Sequence, residues 1–242
     1  MDNPLYPLFC RLDNLRILVV GAGEVGEEKL RFILKSSPNA QVTIVAPWMG
    51  EDLRELLNCY PVSEGGQTDG AWLLTHAGVG SGCRATGHHH GGQERPGRVV
   101  YLARPFVSTD VAEHDLIIAA TNLPDVNRAV YSAAKEYRRL VNVADTPDLC
   151  DFYLGSVVTR GPLKVAISTN GQSPTFAKRF RQWLEAALPD QATPELLDRL
   201  QAFRDQLSGD FRAKVLALNE LTAGLLLKPN NAKQTSRTLH KD

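Results

Sequence analysis

The sequence predicts an α/β protein: a Rossmann-like parallel sheet domain, followed by a small β segment and a helical C-terminal domain. Three observations lead there. Five short runs rich in Val, Ile and Leu alternate with helical patterns, as expected of strands buried on both faces of a parallel sheet. The first run enters "VVGAGEVG", which spaces Gly21, Gly23 and Gly26 as G-x-G-x-x-G. Past residue 150 the alternation stops and amphipathic helical patterns take over.

The first strand is "LRILVV", 15–20, and the helix after it carries Leu30, Ile33 and Leu34 on one face, with Glu27 and Glu28 in its early turns. Acids there complement the helix dipole. "QVTIVAP", 41–47, is the second strand, and "EDLRELL" a short helix. "RVVYL", "DLIIAAT" and "RLVNVAD" are three more strands. Val126, Ala129, Val130, Ala133 and Tyr137 give the helix between the last two. A hairpin follows, "SVVTRGPLKVAIS", turning at Arg160-Gly161-Pro162. Three helical patterns come next: Phe176, Phe180, Trp183 and Leu184; then Leu196 to Leu207; then Phe211 to Leu225. The expected domains are 1–150 (dinucleotide binding), 151–172 (hairpin) and 173–228 (helical), with a disordered polar tail at 229–242. The segment 61–97 is glycine-rich and long for a connection, so it reads as a mobile insertion.

Lys+Arg and Asp+Glu both number 27, so no global field draws the chain to nucleic acid or an anionic membrane. The cysteines, Cys10, Cys59, Cys83 and Cys150, are scattered with no C-x-x-C pair. That usage fits reduced thiols and a cytoplasmic protein. The N-terminal stretch has neither a basic nor an apolar leader pattern, and no apolar run reaches membrane-spanning length.

In the glycine fingerprint, Gly21 makes the tight turn, Gly23 lets amides approach a pyrophosphate and Gly26 lets helix and strand pack closely. The acid that usually binds ribose at the end of the second strand is replaced by Ala46, Pro47 and Trp48. No arginine stands there for a 2′-phosphate, which favours NAD over NADP. Thr121 and Asn122 end the strand that lines the nicotinamide half, with Asn127 in support; helix capping by Asn122 or Asp125 explains them equally well. Asp145 ends the next strand, where burial would raise its pKa and suit it to proton transfer. Asp before Thr-Pro is also ordinary turn chemistry. "ISTNGQSPTFAKRFRQWLE" sets a polar loop before Ser173 as N-cap and Pro174 as first helical residue. Lys178, Arg179 and Arg181 follow as an anion site or a solvated basic face. Cys83, His76, His88, His89 and His90 match no structural zinc spacing, so no metal site is assigned.

Together, "NPLYPLFCRLDNLRILVVGAGEVGEEKL", "DLIIAATNLPDVN" and "VNVADTPDLCDFYLGSVVTRGPLKVAISTNGQSPTFAKRFR" resemble the precorrin-2 dehydrogenase / sirohydrochlorin ferrochelatase family of sirohaem synthesis. The resemblance spans about residues 3–60 and 98–225. It implies NAD-dependent oxidation of precorrin-2 to sirohydrochlorin and, in many members, Fe2+ insertion into that macrocycle, with iron as a substrate. The family's acid–base aspartate falls on Asp145. Its cofactor contacts fall on Glu24, Val25, Pro47 and Trp48 and near Thr121. Its substrate loop falls on Ser168, Thr169, Asn170, Gly171 and Ser173. A homodimer joined through the hairpin is implied. The chain departs from the pattern in the 61–97 insertion and in Gly155, where a proline is common. Methylation that makes precorrin-2 is expected to belong to another protein, since these 242 residues show no methyltransferase pattern. The rival readings are a regulatory NAD-sensing module without catalysis and a metal carrier built on the histidines.

Overall fold

The computed structural model describes residues 3–58, 71–75 and 97–226. The tail at 229–242 lies outside them, as do Cys59, His76, Cys83, His88, His89 and His90. Five strands form parallel ladders: β1 (Arg16–Val20), β2 (Gln41–Val45), β4 (Arg98–Leu102), β5 (Leu116–Ala119) and β6 (Leu140–Val143). With β3 (Ala71–Thr75) they make one sheet in the order β3-β4-β2-β1-β5-β6. All five were legible as apolar runs; β4 matches its run, and the other four ladders are shorter than theirs. Ala46, Ala120 and Ala144 each make one further hydrogen bond, and the chain then leaves the sheet.

β3 corrects part of the expected insertion. The "AWLLT" run pairs antiparallel with β4, Leu73 opposite Val100, and so covers an edge that would otherwise present unpaired backbone groups.

Side chains alternate across the sheet because successive residues of a strand face opposite sides. On one side Ile17, Val19, Val42, Ile44 and Val99 pack with Leu30, Ile33 and Leu34 of α1 (Glu24–Ser36) and with Leu53 and Leu57 of α2 (Glu51–Asn58). On the other, Leu18, Val20, Ile117, Val141 and Val143 meet Val130, Ala133 and Ala134 of α3 (Pro124–Glu136). Leu30, Leu34 and Leu53 are almost fully buried, and each stabilises the fold by roughly 1.5–3 kcal/mol.

The expected hairpin is β7 (Ser156–Arg160) and β8 (Leu163–Ile167), a separate antiparallel pair. Its two-residue turn puts Gly161 first, at φ +56, as the twist of paired strands prefers. α4 (Pro174–Ala187) packs on it through Val158, Ile167, Ala177 and Leu184. The Arg160 guanidinium donates to the Leu188 and Glu185 carbonyls at 2.8 and 2.5 Å, closing the end of that helix. Lys164 Nζ donates to the Ser36 carbonyl at the end of α1, so the hairpin is tied to the first sheet. Burial holds this amine below its usual pKa.

The aromatic pattern of α4 behaves differently from an ordinary core face. Leu184 packs inward, but Phe176, Phe180 and Trp183 stay exposed and stack on one another, with centroids 5.9 and 5.6 Å apart. The chain divides into two compact units between Leu188 and Pro189. α4 therefore belongs with the hairpin and the sheet, one helix later than the boundary expected at 173. The second unit contains α5 (Ala192–Gln206) and α6 (Phe211–Thr222), the latter capped by Asp210 Oδ1 on the Ala213 amide at 2.8 Å.

Gly155, the departure from the family's proline, leads into β7. A Cβ there would lie 2.6 Å from the Ile167 carbonyl oxygen, a backbone atom that cannot swing aside. We expect Gly155→Ala to destabilise the chain by about 1–3 kcal/mol, the usual cost of overpacking, in chemical denaturation. Gly155→Pro should cost at least as much.

Candidate active site

The parallel strands bring their carboxyl ends to one edge of the sheet. The chain works outward from β1 to β2 and β4, then crosses back to β5 and β6. Ligands of such sheets bind where this reversal occurs, between β1 and β5.

The three fingerprint glycines do different jobs at that point. Gly21 has φ +112, and a Cβ on it would stand 2.3 Å from the Ala120 carbonyl oxygen at the end of β5. A Cβ on Gly26 would stand 2.2 Å from the Gly21 oxygen. Both are demanded by the protein's own packing. Gly23 is not: a Cβ there would meet only the Trp48 ring edge, at an ordinary 3.5 Å. Gly23 is also the N-cap of α1, with no side chain bonded to the amides of the first turn. Open space over uncapped amides at the positive end of a helix fits a pyrophosphate. Glu24, exposed, and Val25, half-buried, open the helix.

The loop after β2 flanks this turn. Pro47 is exposed, and Trp48 is 60% exposed with its ring edge toward Gly23 and Gly50. The Gly50 amide donates to the Ala22 carbonyl at 2.8 Å, fixing one loop against the other. The arginine following β4, Arg104, has its fork closed on Asp110 at 2.8 and 2.5 Å. Its guanidinium is therefore committed to that pair.

After β5, Thr121 and the buried Asn127 hold each other. Asn127 Oδ1 accepts from the Thr121 amide at 3.2 Å and stands 2.7 Å from its hydroxyl, and Asn127 Nδ2 donates to the Thr121 carbonyl at 2.9 Å. The Thr121 side chain thus shapes the edge, and Asn127 fixes that shape. Asn122 is exposed. The N-cap of α3 is Leu123, with no side-chain cap, so neither Asn122 nor Asp125 plays the capping role that explained them equally well.

Asp145 stands at the same edge, but the expected burial is not found. It is exposed, with φ +56. The ladder ends at Val143, and the chain turns at once through a Thr146 amide to Val143 carbonyl bond of 3.2 Å, so Asp145 falls in the turn instead of on the strand. A left-handed conformation costs most residues about 1–2 kcal/mol, and Asp and Asn tolerate it best. Asp151 takes the capping role: its Oδ2 accepts from the Val141 amide at 3.0 Å, and it pairs with Lys135.

The loop before α4 is largely engaged with itself. Asn170 and Gly171 have φ +53 and +76 under a Gln172 amide to Thr169 carbonyl bond of 3.0 Å, an Asn-Gly turn with two left-handed residues. Ser168 Oγ accepts from the Asn170 amide, Thr169 Oγ1 from the Ser173 amide, and Ser173 Oγ from the Phe176 amide. Each hydroxyl is used as an acceptor, which leaves its proton to donate. Ser173 and Pro174 are the cap and first residue expected of them.

The three cations do not form one cluster. At about 100° per residue, Arg181 lies about 60° from Lys178 but about 160° from Arg179. Arg181 is also paired with Glu185 at 2.5 Å, whereas Lys178 and Arg179 are exposed.

Comparison with known proteins fits this picture. The family model described as "Putative NAD(P)-binding" matches residues 8–156. The chain belongs to that family. A second model, "Sirohaem biosynthesis protein central", matches residues 160–187, the hairpin and α4. Siroheme synthase 3 of Aeromonas hydrophila is 32% identical over 214 residues, 88% of this chain and 36% of the relative. The siroheme synthase of Nitrosomonas europaea is 33% identical over 205 residues, 85% and 35% of the two chains. The chain thus spans about a third of the length of these curated relatives. The solved structure of SirC, precorrin-2 dehydrogenase, shares the fold, with a TM-score of 0.59 at 21% identity over 90% of this chain and 89% of that one.

In this NAD(P)-binding family member the glycines can be told apart experimentally. Gly23→Ala should leave the denaturation midpoint nearly unchanged and weaken NAD binding at least about tenfold, or 1.4 kcal/mol, by calorimetry. Gly26→Ala should instead destabilise the whole fold by about 1–3 kcal/mol.

Proposed function

We propose that the chain is an NAD-dependent dehydrogenase that oxidises precorrin-2 to sirohydrochlorin on the route to sirohaem. One observation carries the reading: of the three fingerprint glycines, the one that the protein's own packing leaves free stands over the uncapped start of α1. The family, the siroheme synthase relatives and the fold shared with SirC support it.

The oxidation removes a hydride and a proton from the reduced macrocycle. When bound, NAD+ supplies the hydride acceptor. In this reading Gly23, Glu24 and Val25 meet its pyrophosphate end in the turn that Gly21 and Gly26 make possible, Pro47 and Trp48 flank the adenosine half, and Thr121 and Asn122 border the nicotinamide half. Asp145, exposed at the same edge, takes the proton. The hydroxyls of Ser168, Thr169 and Ser173, with Asn170 and Gly171 shaping their turn, donate to substrate carboxylates. Lys178 and Arg179 add charge, and Arg181 contributes through its pair with Glu185.

Iron insertion is a second activity in this reading, with Fe2+ and sirohydrochlorin as substrates. The four macrocycle nitrogens coordinate the ion, so the chain needs only to hold the ring and accept its protons. The working form is a homodimer. β7 and β8 pair with no further strand among the described residues, and such a pair is marginal alone. The exposed Phe176, Phe180 and Trp183 stack supplies an apolar surface beside it. We place the protein in the cytoplasm on its cysteine usage. No helix among the described residues is long and apolar enough to cross a membrane.

The test is NADH absorbance on adding precorrin-2 to the chain with NAD+. Asp145→Asn, which keeps a residue tolerant of the left-handed backbone, should lower turnover by about 10²–10⁴-fold, the worth of a positioned acid–base group. Its NAD affinity should match the parent. A chain that binds NAD and forms no NADH is a regulatory module, and the proposal fails. Iron uptake by sirohydrochlorin without NAD tests the second activity by itself.

A further inference from the structure

β6 is the last strand of its sheet among the described residues, so its outer backbone groups have no strand partner there. Asn142 and Ala144 face inward toward β5, as the Ala144 amide to Ala119 carbonyl bond of 2.9 Å requires. Val141 and Val143 face outward, and the returning chain serves them. The Val141 amide donates to Asp151 Oδ2, and the Asp151 amide donates to the Val141 carbonyl at 2.8 Å. At Val143 the partner is a thiol. Cys150 Sγ accepts from the Val143 amide at 3.3 Å and from Asn142 Nδ2 at 3.4 Å. It stands 3.2 Å from the Val143 carbonyl and 3.4 Å from the Thr146 carbonyl.

Those partners bracket the candidate acid–base residue. Val143 and Thr146 flank Ala144-Asp145, and the sulfur bonds on both sides of that pair. We propose that the Cys150 thiol is a positioning group for Asp145, bridging Val143 to Thr146 and so fixing the left-handed turn from which the carboxylate works. This rests on the reading of Asp145 given above. Half-burial pushes the thiol pKa up, so the sulfur keeps its proton; the bridge is the sulfur accepting from the Val143 amide while that proton goes to the Thr146 carbonyl. Asn142 is buried, and its Nδ2 also donates to the Phe152 carbonyl at 2.8 Å, which anchors the far end of the loop.

A role confined to closing the strand edge would affect stability alone. A positioning role must act through Asp145, and a double-mutant cycle separates the two. In the full chain, precorrin-2 oxidation and NAD binding are measured for Cys150→Val, Cys150→Ser, Asp145→Asn and the Val/Asn double variant. Cys150→Val, close in size but unable to bridge, should lower kcat by about ten- to a hundredfold, as displaced catalytic groups do, with NAD affinity unchanged. Cys150→Ser, which retains a donor and an acceptor, should recover most of that loss. In the Asp145→Asn background the valine should change the residual single-turnover rate less than about twofold, because coupled sites are non-additive. Cys150→Ala reads the same coupling where the valine variant does not fold. Equal losses in the two backgrounds, or an unaltered kcat in Cys150→Val, overturn the proposal alone. An Asp145→Asn chain with full activity overturns the reading beneath it as well.

Discussion

The close stacking of three backbone segments governs this molecule. The end of β5 crowds the glycine turn at Gly21, and the turn's own oxygen crowds α1 at Gly26, each so closely that a Cβ would stand 2.2–2.3 Å from a carbonyl oxygen. Only residues without a side chain permit that approach. It draws the start of α1 down onto the sheet at the point where strand order reverses, so the unbonded amides of the helix face the edge where ligands of such sheets bind. Gly23 takes no part in this contact. The packing thereby determines which of the three glycines remains available to a ligand.

The two ends of the sheet are finished in different ways. At one end β3 simply pairs with β4. At the other, β6 is closed by side chains and loop backbone: Asp151 serves Val141 and Cys150 serves Val143. A polar lock of this kind leaves the following turn free of ladder constraints, which allows Asp145 its left-handed backbone beside the candidate site. The hairpin has neither solution. Its outer strand edges stay unpaired among the described residues, while Lys164 and Arg160 anchor it to α1 and α4.

Much of this was legible in the sequence because burial leaves a local trace. The five parallel strands, the glycine turn, the Gly161 hairpin and the Ser173 cap each follow from residues adjacent in the chain. What escaped depends on contacts between distant residues. β3 sits in a glycine-rich stretch, where a five-residue run says little without the partner strand that β4 supplies. Cys150 carries no local signal at all, since its contacts come from folding back on Val143. The burial expected of Asp145 failed for a different reason. Periodicity fixes which way a residue faces only while the ladder continues, and the ladder ends two residues earlier. Asn170-Gly171 was open to a simpler reading, because Asn-Gly favours a turn with two left-handed residues whatever it later binds.

The exposure of Asp145, the proposed acid–base residue, raises the question of what keeps water from competing for its proton. On the proposed function, the substrate itself would be the cover. A flat macrocycle with carboxylates at its rim would lay an apolar face over the sheet edge and leave its charges to donors outside it. The glycine turn and Trp48 lie at one place, while the hydroxyls of Ser168, Thr169 and Ser173 gather at the start of α4. Arg179 and Lys178, both exposed, point about 100° apart around that helix. Recognition would then rest on several weak, spaced contacts. Such an arrangement suits a ligand whose charges are themselves spread around a ring, and it discriminates against small anions that would satisfy only one contact at a time.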